Sequence, residues 1–307
     1  MTQTIHVIGN VQLDVLASPV TALPSPGGDT IIDQIDVRTA GAAGNVSRAL
    51  HALGAQHRLF GAVGDDDAGR WVAAHLHQLG LGQDLHVVPG EATGISIALE
   101  APDRERAFLT AHGVLNGYTR RDVPDEACHA DLVLFTGYFS LPGLRGEGTK
   151  ELLREAAESG ATTFFDTGWD PGEWAGEGVK EILDLLPQVH VFLPNEPEAL
   201  ALTGESTAEA ALAALVKEGP GWVVVKLGER GLLAGGPDGQ NIRIPAPKVD
   251  PLDTTGAGDS LAAGVLAELA RGADMRDALG TGIRVASTVV GRPSRNRYPG
   301  WEELLPT

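Results

Sequence analysis

Apolar residues along this chain come in short, nearly unbroken runs, separated by stretches whose apolar positions repeat with helical spacing. The runs IHVIGN (5–10), HRLFGAVG (57–64), DLVLFTG (131–137), TTFFDTG (162–168), VHVFLPN (189–195) and GWVVVKLG (221–228) are each of strand length. Between most of them lie amphipathic segments. In GNVSRALHALG, Val46, Ala49, Leu50 and Leu53 fall at i, i+3, i+4 and i+7, and Gly54 supplies a C-terminal stop. Strands that are apolar throughout and alternate with helices predict a mostly parallel sheet covered on both faces, an α/β fold.

Two segments break that rhythm. DTIIDQIDVRT (29–39) and GISIALEAPDRERAFLTA (94–111) read as β-structure without an intervening helix, the second as a hairpin turning at APDRER. They predict two excursions that meet in space as a small β lid. The expected division is a core of 1–11, 41–92 and 113–307 and a lid of 12–40 and 93–112. No internal repeat or low-complexity linker is visible.

Several of the apolar runs end in Gly, Asn or Asp, as in VIGN, VGDDD, FTG, FDTG, LPNE and KLGERG. Ligands of open parallel sheets bind outside the carboxyl ends of the strands, so these small and polar ends predict a long cleft there.

Composition narrows the possible ligands. The 307 residues include 23 Lys and Arg against 41 Asp and Glu, a net charge of −18, and 43% are hydrophobic. A core of useful size is assured. An acidic chain repels phosphodiester backbones and anionic membrane surfaces, so neither nucleic acid nor membrane is expected as a partner. A small anionic ligand, which responds to local fields, remains compatible. The single cysteine, Cys128, excludes an internal disulfide and a Cys-rich metal site. No stretch reaches the roughly 18–20 apolar residues of a membrane span, and the N-terminus lacks a basic, then apolar, leader. A cytoplasmic protein is expected.

The strongest chemical signal is DTTGAGDS (253–260), which runs directly into an apolar helical pattern with Leu261, Val265, Leu266 and Leu269. The helix should begin at Thr255-Gly256-Ala257-Gly258 and end near Gly272. A helix N-terminus offers unpartnered amides and partial positive charge, and the glycines let an oxyanion approach them. Phosphoryl transfer needs such a site. Asp259 stands beside it as a candidate base. Read alone, the loop is equally a capped turn with a first-turn acid. No G-x-x-x-x-G-K-[ST] occurs in the chain, and VIGNVQLD does not fit a G-x-G-x-x-G dinucleotide fingerprint.

Residues 253–264, DTTGAGDSLAAG, resemble the C-terminal signature of the ribokinase (PfkB) family of carbohydrate kinases. Residues 40–54, AGAAGNVSRALHALG, resemble its N-terminal signature, with Gly41, Asn45 and Gly54 in place. NEPEALALTG (195–204) and VKLGERG (225–231) resemble family segments lying between them, and the likeness runs from Ile5 to about Ser294. It implies a ribokinase-like doubly wound, mostly parallel sheet flanked by helices, with a β-sheet lid over the sugar. It also implies an ATP-dependent kinase that phosphorylates a hydroxyl of a small sugar.

Carried onto this sequence, the resemblance makes Asp259 the catalytic base and Gly256, Ala257 and Gly258 the anion hole. Asp14, Gly41 and Asn45 would bind the sugar. Asn195 and Glu198 would lie near the nucleotide phosphates, with Glu198 toward Mg²⁺. Lys226, Gly228, Glu229 and Gly231 would line the ATP groove, with Lys226 facing phosphate. Asp253 and Thr255 would shape the loop around a monovalent cation such as K⁺, although VVGRPSRNRYPG, the C-terminal partner of that site, matches poorly. The lid would also offer a surface for a homodimer.

Where ribose-binding members carry an acid after DLVLFTG, this chain has GYFSLPG, which brings Tyr138 or Phe139 to that region and argues for a different or bulkier acceptor. Few cations surround the expected sugar pocket: Arg48 falls within a helix, and Arg38, Arg104 and Arg106 read as solvated lid charges. An unphosphorylated sugar or sugar acid is therefore favoured over a sugar phosphate. A nucleoside is the rival acceptor, because Ile95, Ile97, Phe108 and Leu109 could stack a base. A non-catalytic nucleotide or sugar sensor on the same fold is the alternative of a different class, and an intact Asp259 argues against it.

Overall fold

A computed structural model describes residues 2–101 and 106–304 of the chain. In chain order the elements begin with β1 (Ile5–Gly9), β2 (Gln12–Ser18), β3 (Gln34–Ala40), α1 (Ala42–Ala52), β4 (His57–Gly64), α2 (Asp67–Gln78), β5 (Leu85–Val88), β6 (Ile95–Glu100) and β7 (Arg106–Ala111). There follow β8 (Leu132–Thr136), α3 (Glu147–Glu158), β9 (Thr162–Asp166), α4 (Glu177–Leu185), β10 (Val191–Phe192), α5 (Glu196–Thr203) and α6 (Ala208–Leu215). The chain ends with β11 (Trp222–Lys226), β12 (Leu232–Gly235), β13 (Asn241–Ile244), α7 (Ala257–Ala270) and α8 (Met275–Val290).

All six apolar runs form strands of one sheet, in the order β13-β12-β11-β10-β9-β8-β1-β4-β5. From β5 to β11 neighbouring strands run parallel, while β12 turns back on β11 and β13 on β12. Alternation along each strand divides the core. Ile5, Val7, Leu132, Leu134, Phe164 and Val224 face α1, α2, α7 and α8, whereas Ile8, Val133, Phe135, Phe165 and Val225 face α3 to α6. Helices α7 and α8 meet through glycine: a Cβ on Gly264 would lie 2.8 Å from Gly282 Cα. That close approach seats α7, and with it Asp259. Cys128 is buried, its thiol pushed up to about 11 by burial, and is an ordinary core thiol.

A second sheet, β3-β2-β6-β7, stands apart. It springs from the carboxyl end of β1 and returns to the core through Gly41. β2 pairs antiparallel with β3 and parallel with β6, so Arg38, Asp14, Ser96 and Thr110 form one row across it. The strand expected from residue 29 begins only at Gln34, because 29–33 follow a Pro- and Gly-rich turn and Ile31 is 93% exposed. β5, β12 and β13, four residues each, were not anticipated. Strands that short carry too few positions for a period to register. Among the described residues no single helix is long and apolar enough to cross a membrane.

Candidate active site

β1 has β4 on one side and β8 on the other, so the strand order reverses there, the place at which open α/β sheets bind ligands in a crevice outside the carboxyl ends of their strands. The segment 253–256 brings the start of α7 to this crevice. Gly256 caps α7 at φ 73°, a left-handed conformation suited to glycine, and a Cβ on it would lie 3.2 Å from Asn45 Nδ2. The first bond inside the helix runs from the Ser260 N–H to the Gly256 carbonyl at 2.9 Å, so the amides before it lack helical partners. That of Ala257 reaches the Thr254 carbonyl at 3.2 Å instead.

Asp259 stands on this first turn. Asn45 Nδ2 donates to its Oδ2 at 2.8 Å, and Tyr298 Oη donates to Asn45 Oδ1 at 3.2 Å. Burial, reinforced by the nearby Asp166 carboxylate, pushes the Asp259 carboxyl up to about 7, although Asn45, Lys226 and Arg297 favour its charge. A carboxyl held near neutrality is suited to accepting a proton.

Lys226 ends β11, and its Nζ lies 2.6 Å from Asp166 Oδ2 at the end of β9. A Cβ on Gly258 would stand 3.2 Å from that Nζ, so the glycine leaves the ammonium room beside α7. Burial works against the charge of Lys226, but Asp166 and Glu198 outweigh it and hold the ammonium charged. Asn195 and Glu198 form a reciprocal cap at the start of α5. The Asn195 N–H donates to Glu198 Oε2 and its Nδ2 to Glu198 Oε1, both at 2.8 Å, while the Glu198 N–H donates to Asn195 Oδ1 at 2.9 Å. Glu198 is 2% exposed, and burial pushes it up to about 7 in spite of Lys226. Beyond β11, Gly228 and Gly231 have φ of 61° and 90°, and a Cβ on Gly231 would overlap the Ile244 carbonyl oxygen. Glu229 is exposed between them.

On the other side, Gly41 precedes α1 at φ 84°, where a Cβ would overlap the Asn10 carbonyl oxygen. Close passage of two backbones explains this glycine. Asn10 Nδ2 donates to Gln12 Oε1 at 3.2 Å, and Gln12 Nε2 to Asp14 Oδ1 at 2.9 Å. Burial raises Asp14 above the ordinary carboxylate range, against the Gln12 hydrogen bond and Arg38.

Alternation gives the second sheet, expected as a lid, two unlike faces. One carries Gln12, Asp14, Arg38, Ser96, Glu100, Arg106 and Thr110; the other carries Val15, Val37, Ile97 and Leu109. Ile95, Ile97 and Leu109, expected as a stacking platform for a base, are thus on the face opposite Asp14, and Phe108 alone of that group shares its side. Arg38 and Arg106 are not solvated lid charges. Their side chains are 11% and 10% exposed, and both reach Asp253. Arg38 Nη1 donates to Asp253 Oδ2 at 2.9 Å and Arg106 Nη1 to Asp253 Oδ1 at 2.6 Å, while Arg106 also binds Thr255 Oγ1 and Glu100. Arg297 completes the group at 3.0 Å from Asp253 Oδ2. Burial opposes the ionised form, but Arg297, Arg38 and Arg106 hold the Asp253 carboxyl well below the ordinary carboxylate range.

Tyr138 and Phe139 do not line this cleft. Both are buried against Phe165 and Trp174, and Tyr138 Oη donates to Glu181 Oε2 at 2.7 Å. The left-handed Gly137 turns the chain there, and the aromatic rings gain more from the core than from solvent. Arg104 lies outside the described residues. Asp166, Arg297, Tyr298, Asn10 and Gln12 were not singled out from the sequence. Asp166 had a legible signal, the polar end of TTFFDTG, and Arg297 and Tyr298 lie in VVGRPSRNRYPG, the segment expected on the C-terminal side of the cation site, but their contacts with Asp253 and Asn45 are tertiary.

The model of the pfkB family of carbohydrate kinases matches residues 3–299. An uncharacterised sugar kinase of Escherichia coli, YegV, is 31% identical over 99% of this chain and 93% of its own length. An ATP-dependent ribose-1-phosphate kinase of Halopiger xanaduensis is 29% identical over 95% of this chain and 93% of its own. A putative ribokinase II of E. coli, solved with ATP and Mg²⁺, superposes with a TM-score of 0.83 at 20% identity, covering 99% of this chain and 97% of that one. The chain belongs to the pfkB family of carbohydrate kinases and has the ribokinase fold.

Proposed function

We propose that this ATP-dependent carbohydrate kinase transfers the γ-phosphoryl group of ATP, in line, to a hydroxyl of a small unphosphorylated sugar or sugar acid. The observation that carries the reading is Asp259, a carboxyl pushed up to about 7 on the first turn of a helix whose leading amides are unpartnered within that helix. The acceptor oxygen attacks the γ-phosphorus as its proton passes to Asp259, and the bond from that phosphorus to the β–γ bridging oxygen breaks to release ADP. Amides of Gly256, Ala257 and Gly258 receive the oxygens of the phosphoryl group, Ala257 exchanging its long bond to Thr254 for the ligand. Asp14, Gly41 and Asn45 orient the acceptor, which contributes much of the rate by positioning.

The nucleotide lies along the ends of β10 and β11, beside Asn195, Lys226, Gly228, Glu229 and Gly231. Around Lys226 stand Asp166, Glu198 and Asp259, three carboxyls to one ammonium. Burial, with a lesser contribution from Asp166, pushes Glu198 and Asp259 up to about 7, so a nearby divalent cation would favour their ionised forms. Among the described residues no group of three or more acidic or other ligating side chains is arranged to hold a metal ion by itself, so Mg²⁺ would be held chiefly by the nucleotide phosphates and water, with Glu198 toward it. Mg²⁺ supplies charge neutralisation to the phosphates when bound.

An acceptor without a phosphate group suits the lid, because Arg38, Arg106 and Arg297 direct their charge to Asp253 and Arg106 also to Glu100. The outward face of the lid presents Val37, Ile97 and Leu109 at 49%, 37% and 63% exposure, which supports a homodimer formed lid to lid.

An ADP-release screen with ATP and Mg²⁺ over sugars, sugar acids, sugar phosphates and nucleosides tests the reading. Turnover is expected on a sugar or sugar acid. Preference for a sugar phosphate or a nucleoside would overturn the acceptor class. ATP binding without turnover on any of them would make the protein a sensor.

A further inference from the structure

Asp253 and Thr255, the pair that the family resemblance assigns to a monovalent cation, are already held by cations of the chain itself. Arg297 Nη2 donates to the main-chain carbonyls of Asp253 at 3.2 Å and Thr255 at 2.5 Å, and its Nη1 to Asp253 Oδ2 at 3.0 Å. Its side chain is 3% exposed. A bare alkali ion needs several oxygens converging on one point. Here one carboxylate oxygen and two carbonyls converge on a single guanidinium. Arg106 takes the other carboxylate oxygen and Thr255 Oγ1, and Arg38 shares Asp253 Oδ2. An incoming K⁺ would meet occupied donors and three positive charges. The residues do not fit a monovalent cation.

We propose that Arg297 is a built-in cation of this kinase, a permanent guanidinium that fixes the 253–256 turn and makes both the fold of that turn and catalytic turnover independent of K⁺. The physical basis is the planar peptide, whose C=O and N–H point opposite ways. A guanidinium that draws the Asp253 and Thr255 carbonyls to one side fixes the peptide planes entering α7. The Thr255 carbonyl and the Gly256 N–H belong to one peptide unit, so the first amide of the anion hole is oriented by the bond to Arg297. Arginine suits this place better than lysine, since its fork spans a carboxylate and two carbonyls while remaining charged when buried. Arg297 touches no reacting atom and acts as a positioning residue. Its kinetic consequence rests on the assignment of Gly256 to Gly258 as the phosphoryl-binding turn. Its occupation of the cation position does not.

The test measures turnover and the thermal midpoint of the wild-type protein in KCl, NaCl and tetramethylammonium chloride at equal ionic strength. Turnover and midpoint are expected to be the same in all three. A loss of about fivefold or more in tetramethylammonium, or a midpoint raised selectively by K⁺, would show a cation bound to the native state and overturn the proposal. Arg297→Met should lower kcat by about 10–100-fold, as a displaced catalytic turn does, with KM for the acceptor little changed. Millimolar ethylguanidinium should restore part of it. A variant with wild-type kcat, or a deficit that ethylguanidinium leaves untouched in a folded protein, would also overturn it. If Arg297→Met does not fold, the wild-type midpoints in the three salts decide. Because that midpoint needs no substrate, absence of turnover on every acceptor would refute the kinase mechanism while leaving the cation assignment to stand or fall on the melts.

Discussion

Asn45 Nδ2 donates to Asp259 Oδ2 across 2.8 Å, tying the first turn of α1 to the first turn of α7 over 214 residues of sequence. The two segments that carry the family resemblance thus meet at the proposed base, and the amide donor stabilises its charged form. Asp259→Asn should lower kcat by at least about 10²–10⁴-fold, the usual contribution of a positioned base, while Kd for ATP changes by less than about threefold. Steady-state kinetics with nucleotide binding by calorimetry check this. Near-wild-type turnover would remove Asp259 from the chemistry.

The same residue sets a pH dependence. The base acts when ionised, so kcat/KM should rise with pH and level off above about 7. Asn45 lowers the Asp259 pKa by its hydrogen bond, so Asn45→Ala should move the midpoint of that limb to higher pH. Stability follows with the opposite sign. The native carboxyl titrates above its ordinary value of 3.8, so the folded state binds the proton more tightly than the unfolded chain, and the contribution of Asp259 to stability falls as pH climbs toward about 7. The gain in thermal midpoint on Asp259→Asn should therefore be larger at pH 8 than at pH 5.

Lys226 is the counter-charge to Asp166 at 2.6 Å and lies close to Glu198 and Asp259. Lys226→Met leaves those carboxyls without their cation. Removing one partner of a buried pair costs about 3–5 kcal/mol, so urea unfolding should show a loss of that order at pH 8. Mg²⁺ should recover part of that loss by taking the vacated charge role. A variant as stable as wild type, with or without Mg²⁺, would mean that the carboxyl cluster is not negatively strained.

The lid carries Val37, Val15, Ile97 and Leu109 in one row on its outward face. Replacing Ile97 and Leu109 together by Glu should convert a dimer to a monomer in analytical ultracentrifugation without unfolding the core, since neither side chain belongs to the buried set. A wild-type protein that is monomeric at micromolar concentration would exclude the lid as an interface.

The doubly wound fold was legible because its strands are buried on both sides and their apolar runs are unbroken. The positions of Gly256, Gly258, Asp259 and Asn45 were legible for another reason: each lies within about one turn of its own helix start, where backbone geometry follows from neighbours in sequence. Arg38 and Arg106 were misread as solvated because alternation tells which face of a strand a side chain takes, but not what that face lies against. Tyr138 and Phe139 were misread as cleft residues for the complementary reason. The turn at Gly137 sends them into the core, and only the packing of Phe165 and Trp174 shows it.

By itself, then, the sequence determined the sheet and the helix starts, which rest on periodicity and on contacts a few residues apart, while the class of reaction came from the resemblance of its two signature segments to the pfkB family. The tertiary structure alone decided which charges meet. Asp166 with Lys226 is a pair 60 residues apart, and Asp253 is held by Arg38, Arg106 and Arg297 from separations of 215, 147 and 44. Ion pairing depends on distance in space and on exclusion of water, and neither quantity is written in the spacing of residues along the chain.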